Sequence, residues 1–378
     1  MPSAPRPRWP LFLLSVIATF TFGCSDDDPA RPEEGPNPAW LEVRLPDGLP
    51  RGMLWGIDFH GDRGLALELK SDGTSVLLET EGGDWMVTSV PELETGAVLD
   101  VAFDQDGRGV MVGYSIPGVP RPLVLAERPE WTSVLPSQSA VAGFVAVTVD
   151  DASTFLATGQ QRNEVLAWTG TTEGKWTQIQ IETPGNPNDK ALRDVAYGAD
   201  TWVACGFDDG GDGSIEEPNA ILMIDEGTGW QLVGSPCGGC GNHDYRAVAI
   251  GSTGTIYLGG SVTDFSNGGG DDYVAFLRAY ERDIEEWTEI ALPDPGNLDG
   301  VNDILLDSNG DIYLACGEER GAVVRLPAGS SSVDPTNVEW LSEESRFFAL
   351  GQAADGTVHA VGARTSGAEP EPLMLRRP

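Results

Sequence analysis

Seven tryptophans recur along the chain at near-regular spacing: Trp40, Trp85, Trp131, Trp176, Trp230, Trp287 and Trp340 are separated by 45, 46, 45, 54, 57 and 53 residues. A period of this kind means that one structural unit is repeated. Most of these tryptophans open short runs of alternating character, WLEVRLP from Trp40, WMVTSVP from Trp85, WTSVLP from Trp131, WTQIQI from Trp176 and WTEIALP from Trp287, and such runs read as strands. A unit of about 40 to 50 residues made of short strands predicts an all-β chain folded as a seven-bladed β-propeller of four-stranded blades.

A second element precedes the later tryptophans. VAFDQDGRGVMVG from Val101, VAYGADTWVACG from Val195, VAIGSTGTIYLGG from Val248 and ILLDSNGDIYLACG from Ile304 each read as strand, polar turn and strand. TVDDASTFLATG from Thr148, GIDFHGDRGLALE from Gly56 and ALGQAADGTVHAVG from Ala349 complete a set of seven. Phe59, Phe103, Val149, Tyr197, Ile250, Leu306 and Leu350 stand at equivalent places and are expected to pack between blades. A third strand follows in each unit, for example PLVLAE from Pro122 or NAILMID from Asn219, and the tryptophan run is the fourth.

The strand count predicts how the ring closes. The array begins with an orphan fourth strand, Trp40 to Pro46, and ends on a third strand, Pro372 to Arg376, that lacks its fourth. The N-terminal strand is therefore expected to complete the last blade and remove an open edge.

The sum of 23 Lys and Arg against 59 Asp and Glu is −36, with only three lysines, Lys70, Lys175 and Lys190. No basic stripe is present for a phosphate backbone, which excludes the nucleic-acid-binding classes. So acidic a surface is self-repelling and fits a soluble monomer.

Residues 1–24 read as an export segment: Arg6 and Arg8, then an apolar run from Trp9 to Phe22, too short for a membrane span, then Gly23 and Cys24. This resembles a bacterial lipoprotein signal. The resemblance implies cleavage before Cys24, lipidation of that cysteine, and, with Ser25 following it, the outer membrane of a bacterial envelope; ordinary secretion with Cys24 as a bystander is the alternative. Residues 25–37 are an acidic, proline-rich linker and 38–378 the propeller.

The two-strand element with a tryptophan opening the fourth strand resembles the Asp-box or sialidase-like propellers and the photosystem II assembly-factor type of repeat. The Asp box survives as shortened turns, ETEGGDW, TEGKW and DEGTGW. A sialidase-like activity would imply an arginine triad, a tyrosine nucleophile and an activating carboxylate. A repeat protein carries arginines and acids in every turn, and no subset stands out in the sequence.

Connections between second and third strands share one face of a propeller with those between blades. They are longest in the fourth and fifth units, and long loops on a rigid scaffold are where recognition concentrates. His243, Asp244, Asp264 and Asp299 are expected on that face. Asp208, Asp209, Asp212, Asp271 and Asp272 sit in glycine-rich loops that suit calcium, but DDGGDG has glycine where a D-x-D-x-D-G loop needs its middle carboxylate, so no cofactor is expected and calcium is the alternative. Cys237 and Cys240 form C-x-x-C beside His243 and Asp244; an exported compartment favours a disulfide there, with a metal site as the alternative. Cys205 and Cys316 are expected at equivalent places in units four and six, as small buried hydrophobes. The reading as a whole is an exported, membrane-anchored binding or scaffold protein for a protein or glycan. A carboxylate-based glycoside hydrolase or lyase and a calcium-stabilised surface protein are the alternatives.

Overall fold

The computed structural model describes residues 40–116, 118–135, 141–161, 164–182, 190–208, 219–233, 243–264, 272–293, 298–317, 321–334, 337–340, 344–365, 367 and 369–378. The remaining positions, among them Cys24, Asp209, Asp212, Cys237, Cys240 and Asp271, lie outside the described residues. The chain enters through β1 (Leu41–Glu42) and builds blade 1 from β2 (Gly52–His60), β3 (Arg63–Lys70), β4 (Ser75–Glu81) and β5 (Met86–Thr88). Blade 2 is β6 (Gly96–Phe103), β7 (Gly109–Ser115), β8 (Pro122–Glu127) and β9 (Trp131–Ser133). Blade 3 is β10 (Ala142–Val149), β11 (Phe155–Gln161), β12 (Glu164–Gly170) and β13 (Thr177–Gln178). Blade 4 is β14 (Lys190–Gly198), β15 (Thr201–Asp208), β16 (Asn219–Asp225) and β17 (Gln231–Val233). Blade 5 is β18 (His243–Ile250), β19 (Ile256–Asp264), β20 (Asp272–Glu281) and β21 (Glu286–Ile290). Blade 6 is β22 (Val301–Leu306), β23 (Ile312–Cys316), β24 (Ala322–Leu326) and β25 (Val338–Trp340). Blade 7 is β26 (Ser345–Gln352), β27 (Val358–Arg364) and β28 (Glu371–Arg377), completed by β1.

Each sheet is antiparallel and runs in chain order except the last, where Leu41 pairs with Arg376 and Glu42 with Leu375. The N-terminal strand thus closes the ring as the strand count requires. The first strands of successive blades contact one another all the way round, β26 meeting β2, so these seven strands are innermost.

Among the described residues the apolar side chains form seven separate clusters, one at each contact between adjacent blades. A propeller has no single core because both faces of every inner strand are covered by a neighbour. Phe103 and Leu350 are fully inside these layers, and Phe59, Val149, Ile250 and Leu306 pack at their margins. Tyr197, at the end of β14, instead lies half-buried against Trp202 with ring centroids 4.8 Å apart. The repeated tryptophans enter the same layers: Trp85 meets Phe59 at 6.0 Å, Trp176 meets Phe155 at 6.4 Å, Trp287 meets Tyr280 at 4.8 Å and Trp40 meets Tyr313 at 6.2 Å. The tryptophan runs are strands over only two to five residues, shorter than their alternation suggests. Past the tryptophan the outermost strand has no layer left to cover, and the chain leaves it to cross to the next blade.

An innermost strand has a free edge toward the axis, whose N–H groups need acceptors. Among the described residues four half-buried aspartates supply them across the blade boundaries. Asp100 Oδ1 accepts from Val101 N of its own blade and Oδ2 from Val147 N of the next, at 2.9 and 2.8 Å. Asp194 does the same with Val195 and Val248, Asp303 with Ile304 and Leu350, and Asp58 with Phe59 and Phe103. Asp100, Asp194 and Asp303 stand at one equivalent position in blades 2, 4 and 6, so every second blade clips itself to its successor.

Candidate functional site

Each innermost strand carries one register shift against its neighbour, at Leu54/Gly56, Val98/Asp100, Phe144/Ala146, Leu192/Asp194, Tyr245/Ala247, Val301/Asp303 and Phe347/Ala349. A bulge inserts one unpaired residue and re-aims its side chain. The seven inserted residues are Trp55, Leu99, Val145, Arg193, Arg246, Asn302 and Phe348. They occupy the same level of seven adjacent strands and so form one ring at the inner edge. Each lies near the start of its strand, toward the face that carries the connections between blades.

In five of the seven blades the bulge stands opposite a glycine. The residue paired with the one before the bulge is Gly113, Gly159, Gly206, Gly260 or Gly362 in five blades. A Cβ at these positions would stand 1.8 to 2.1 Å from the facing carbonyl oxygen. In these five blades a side chain would collide with the facing backbone, whereas blades 1 and 6 carry Glu68 and Cys316 opposite their bulges.

The ring is chemically divided. On blades 7 and 1 Phe348 and Trp55 stack with centroids 4.3 Å apart and an interplanar angle of 17°. Leu99 and Val145 extend this apolar sector through blades 2 and 3. On blades 4 to 6 the ring holds Arg193, Arg246 and Asn302. Arg246 Nε lies 2.9 Å from Asp244 Oδ2, and Arg193 Nε lies 3.8 Å from Oδ1 of the same carboxylate. Arg246 Nη1 donates to Asn302 Oδ1 at 3.4 Å, while Asn302 Nδ2 donates to the Phe347 carbonyl at 2.9 Å and the Gly317 carbonyl at 3.2 Å. Arg193 also lies over the Phe207 ring at 4.9 Å. Burial, the largest influence on the Asp244 carboxyl, acts to raise its pKa, but the two guanidiniums together outweigh it and hold the group below its usual value. Asp244 is thus a fixed anion that orients arginines rather than a proton donor.

His243, one residue earlier, accepts a hydrogen bond at Nε2 from Arg278 Nη2 at 3.3 Å and meets the Phe276 ring edge-on at 5.4 Å. Arg278 in turn lies 5.0 Å above Phe276. The structure therefore gathers His243 and Asp244 at the mouth of the ring, as members of an arginine-rich sector. Asp299 is half-buried on the connection into β22, close enough to Cys316 to act with burial in raising its thiol pKa. Asp264, Asp208 and Asp272 end strands, with Asp264 opposite Asp272 and Asp208 opposite Asn219 in register; their side chains are outside the described residues. Among the described residues no group of three or more His, Cys, Asp or Glu side chains is placed to hold a metal.

Cys205 and Cys316 are both buried and free, but they are not equivalent. Cys316 pairs with Val301, as Gly206 pairs with Leu192, so Cys205 sits one residue earlier and on the opposite face of its strand. Cys205 belongs to the layer between blades 4 and 5, Cys316 to that between blades 5 and 6. The turn between the first two strands is one residue shorter in blade 4 than in blade 6, Tyr197 pairing with Trp202 where Leu306 pairs with Ile312, so matching the two Cys-Gly ends misaligns the strands. His359 is a core histidine, tilted against Phe59 with ring centroids 4.7 Å apart, with burial pushing its pKa down to about 4. Trp55, Arg193, Arg246, Asn302 and Phe348 were not legible as a set, because nothing but the bulge connects them.

No protein-family model matches the chain, and no curated protein matches it. Among solved structures it is similar to YCF48 from Cyanidioschyzon merolae, at 14% identity and a TM-score of 0.59, covering 90% of this chain and 99% of that one. It is also similar to YCF48 bound to D1 peptide, at 13% identity and a TM-score of 0.58, covering 90% and 97%. A third similar structure is an ulvan lyase of polysaccharide lyase family PL25 bound to a GlcA–Rha3S unit, at 10% identity and a TM-score of 0.61, covering 88% and 95%. At these identities the likeness is one of fold: the chain is a seven-bladed β-propeller of the architecture shared by YCF48 and the ulvan lyase.

Proposed function

We propose that this chain is an exported binding protein, anchored to a bacterial envelope membrane by lipid on Cys24, that seats a protein or glycan partner at the mouth of its central ring. The observation that carries the reading is the sorting of the bulged residues: stacked Trp55 and Phe348 on one side, Arg193 and Arg246 on the other. In a chain of net charge −36 two arginines held at the axis are a specific placement. Aromatic faces and arginines are the side chains from which recognition surfaces draw most of their binding energy. The reading agrees with the peptide named with YCF48 and the saccharide named with the ulvan lyase, which are ligands of those proteins. A glycosidase needs a carboxyl that can give up a proton, whereas the carboxylate at the centre of this sector is ion-paired and held ionised.

The test is binding of the chain to an array of acidic and neutral peptides and oligosaccharides, read beside Trp55→Ala and the double variant Arg193→Ala, Arg246→Ala. The expected result is a ligand class whose binding falls at least tenfold in both variants. Ligands bound equally by the parent and both variants would place recognition elsewhere on the molecule.

A further inference from the structure

The contact between blades 7 and 1 joins the two ends of the propeller chain, and it encloses a carboxyl group for which the fold supplies no donor. Glu68 on β3 pairs with Leu54, and so stands where five other blades have glycine and blade 6 has Cys316. Directly paired residues share a face, so Glu68 points with Leu54 and Ala66 into the apolar layer against blade 7. It is fully buried, and neither carboxyl oxygen has a hydrogen-bond partner. Its side chain folds under Gly52, where a Cβ would lie 2.8 Å from Oε1. The crossing from β1 to β2, residues 43–51, covers this layer through Val43, Leu45 and Leu49. The crossing is held by a two-residue strand and one further bond, Val43 N to the Met374 carbonyl at 2.9 Å.

Of the charged groups on the surrounding elements only Lys70 acts on the Glu68 carboxyl, and none donates a hydrogen bond to it. Lys70, on Glu68's own strand, lies 3.7 Å from Asp72. On the crossing Arg44 pairs with Asp47, and Arg51 lies 3.9 Å from both Glu369 and Glu371, beside β28. On blade 7 Arg364 pairs with Glu42; Arg346 and His359 complete the set on β26 and β27. Facing segments of β2 and β4 bring Gly52, Met53, Leu54, Ser75, Val76 and Leu77, none of them charged.

We propose that Glu68 is a proton-controlled latch beneath the 43–51 crossing: neutral, it lies in the closed layer and the crossing stays seated; ionised, it draws in water and the crossing lifts. An unpaired carboxylate in an apolar layer costs more than the seating of three aliphatic side chains returns. Burial, opposed by the charge of Lys70, pushes the carboxyl up to about 7. The sign follows: the closed form holds the proton more tightly than the open one, so closure is favoured at acid pH and is lost as pH rises through about 7.

Hydrogen exchange of the full chain between pH 5 and 9, corrected for the intrinsic rate at each pH, tests this. Protection of residues 43–51 should fall roughly tenfold per pH unit above about 7 and stay below that of β10, which falls only as the whole ring loses stability. In Glu68→Gln and in Glu68→Gly, which restores the residue of the other blades, that fall should vanish. Flat protection of residues 43–51 in the parent, or a fall there that persists in either variant, overturns the latch.

Discussion

A methyl group added at Gly113 would stand 2.0 Å from the Ala97 carbonyl oxygen, within backbone that cannot yield without undoing the bulge at Leu99. Gly113→Ala is therefore expected to destabilise the chain by about 3 kcal/mol or more, beyond the usual range for overpacking. Gly83→Ala, where nothing lies within 4 Å, should stay within about 0.5 kcal/mol. Denaturant unfolding of the two variants separates the close approach from a general intolerance of alanine. The glycines themselves were visible in the sequence, at the ends of VMVG, LATG and HAVG. Their reason was not, because a bulge exists only between two paired strands. The same gap hid Arg193 and Arg246, which in sequence are two arginines among 23 basic residues.

At the scale of elements, the closing strand is where the chain is most exposed to truncation. β1 is only two residues long, but it brings Trp40 onto Tyr313 and starts the crossing that covers the contact between blades 7 and 1. Trp40→Ala should cost about 3 to 5 kcal/mol, the range for removing a buried aromatic. Deleting residues 25–47 should lower the thermal midpoint further, since it also uncovers β28 and opens an edge. A truncated chain that melts with the parent would mean that β1 contributes nothing to closure. The third strands were legible nearly to the residue, PLVLAE being β8 and NAILMID being β16, because fully covered apolar runs end where their turns begin. The outermost strands were overread because alternation continues into segments that have no partner.

The molecule as a whole carries half-buried acid around its axis, and this sets its response to pH. Burial raises the Asp58 carboxyl to about 6 against its two N–H donors, and does the same for Asp303. Asp194 is raised to about 8 by burial and then by the charge of Asp303, and Asp100 is raised well above its usual value for the same kinds of reason. Each folded pKa lies above the unfolded value of about 3.9. The native state then binds more protons than the unfolded chain, so these groups stabilise most at acid pH and their contribution is lost as pH rises through about 6 to 8. Asp244 and Asp311, held low, act in the opposite sense below about pH 4. Thermal midpoints should therefore fall from pH 5 to pH 8, and Asp194→Asn should reduce that slope while lowering stability at pH 5. An unchanged slope would mean that its two N–H donors keep Asp194 ionised throughout. Chelator is expected to leave the midpoint unmoved, and a large loss would restore calcium to the glycine-rich loops.

What repeats is readable from the chain alone: the number of units, the order of strands within each, and the way a missing fourth strand at one end answers an extra one at the other. These are properties of local periodicity and of counting, which need no partner strand. What faces the axis is set by the assembled ring. Which residue of each inner strand leaves its pairing, which carboxylates reach the next blade, and that Glu68 is enclosed where other blades have glycine all depend on register between strands and on contact between blades. A one-residue slip changes which face a side chain occupies, and no window of sequence contains both partners.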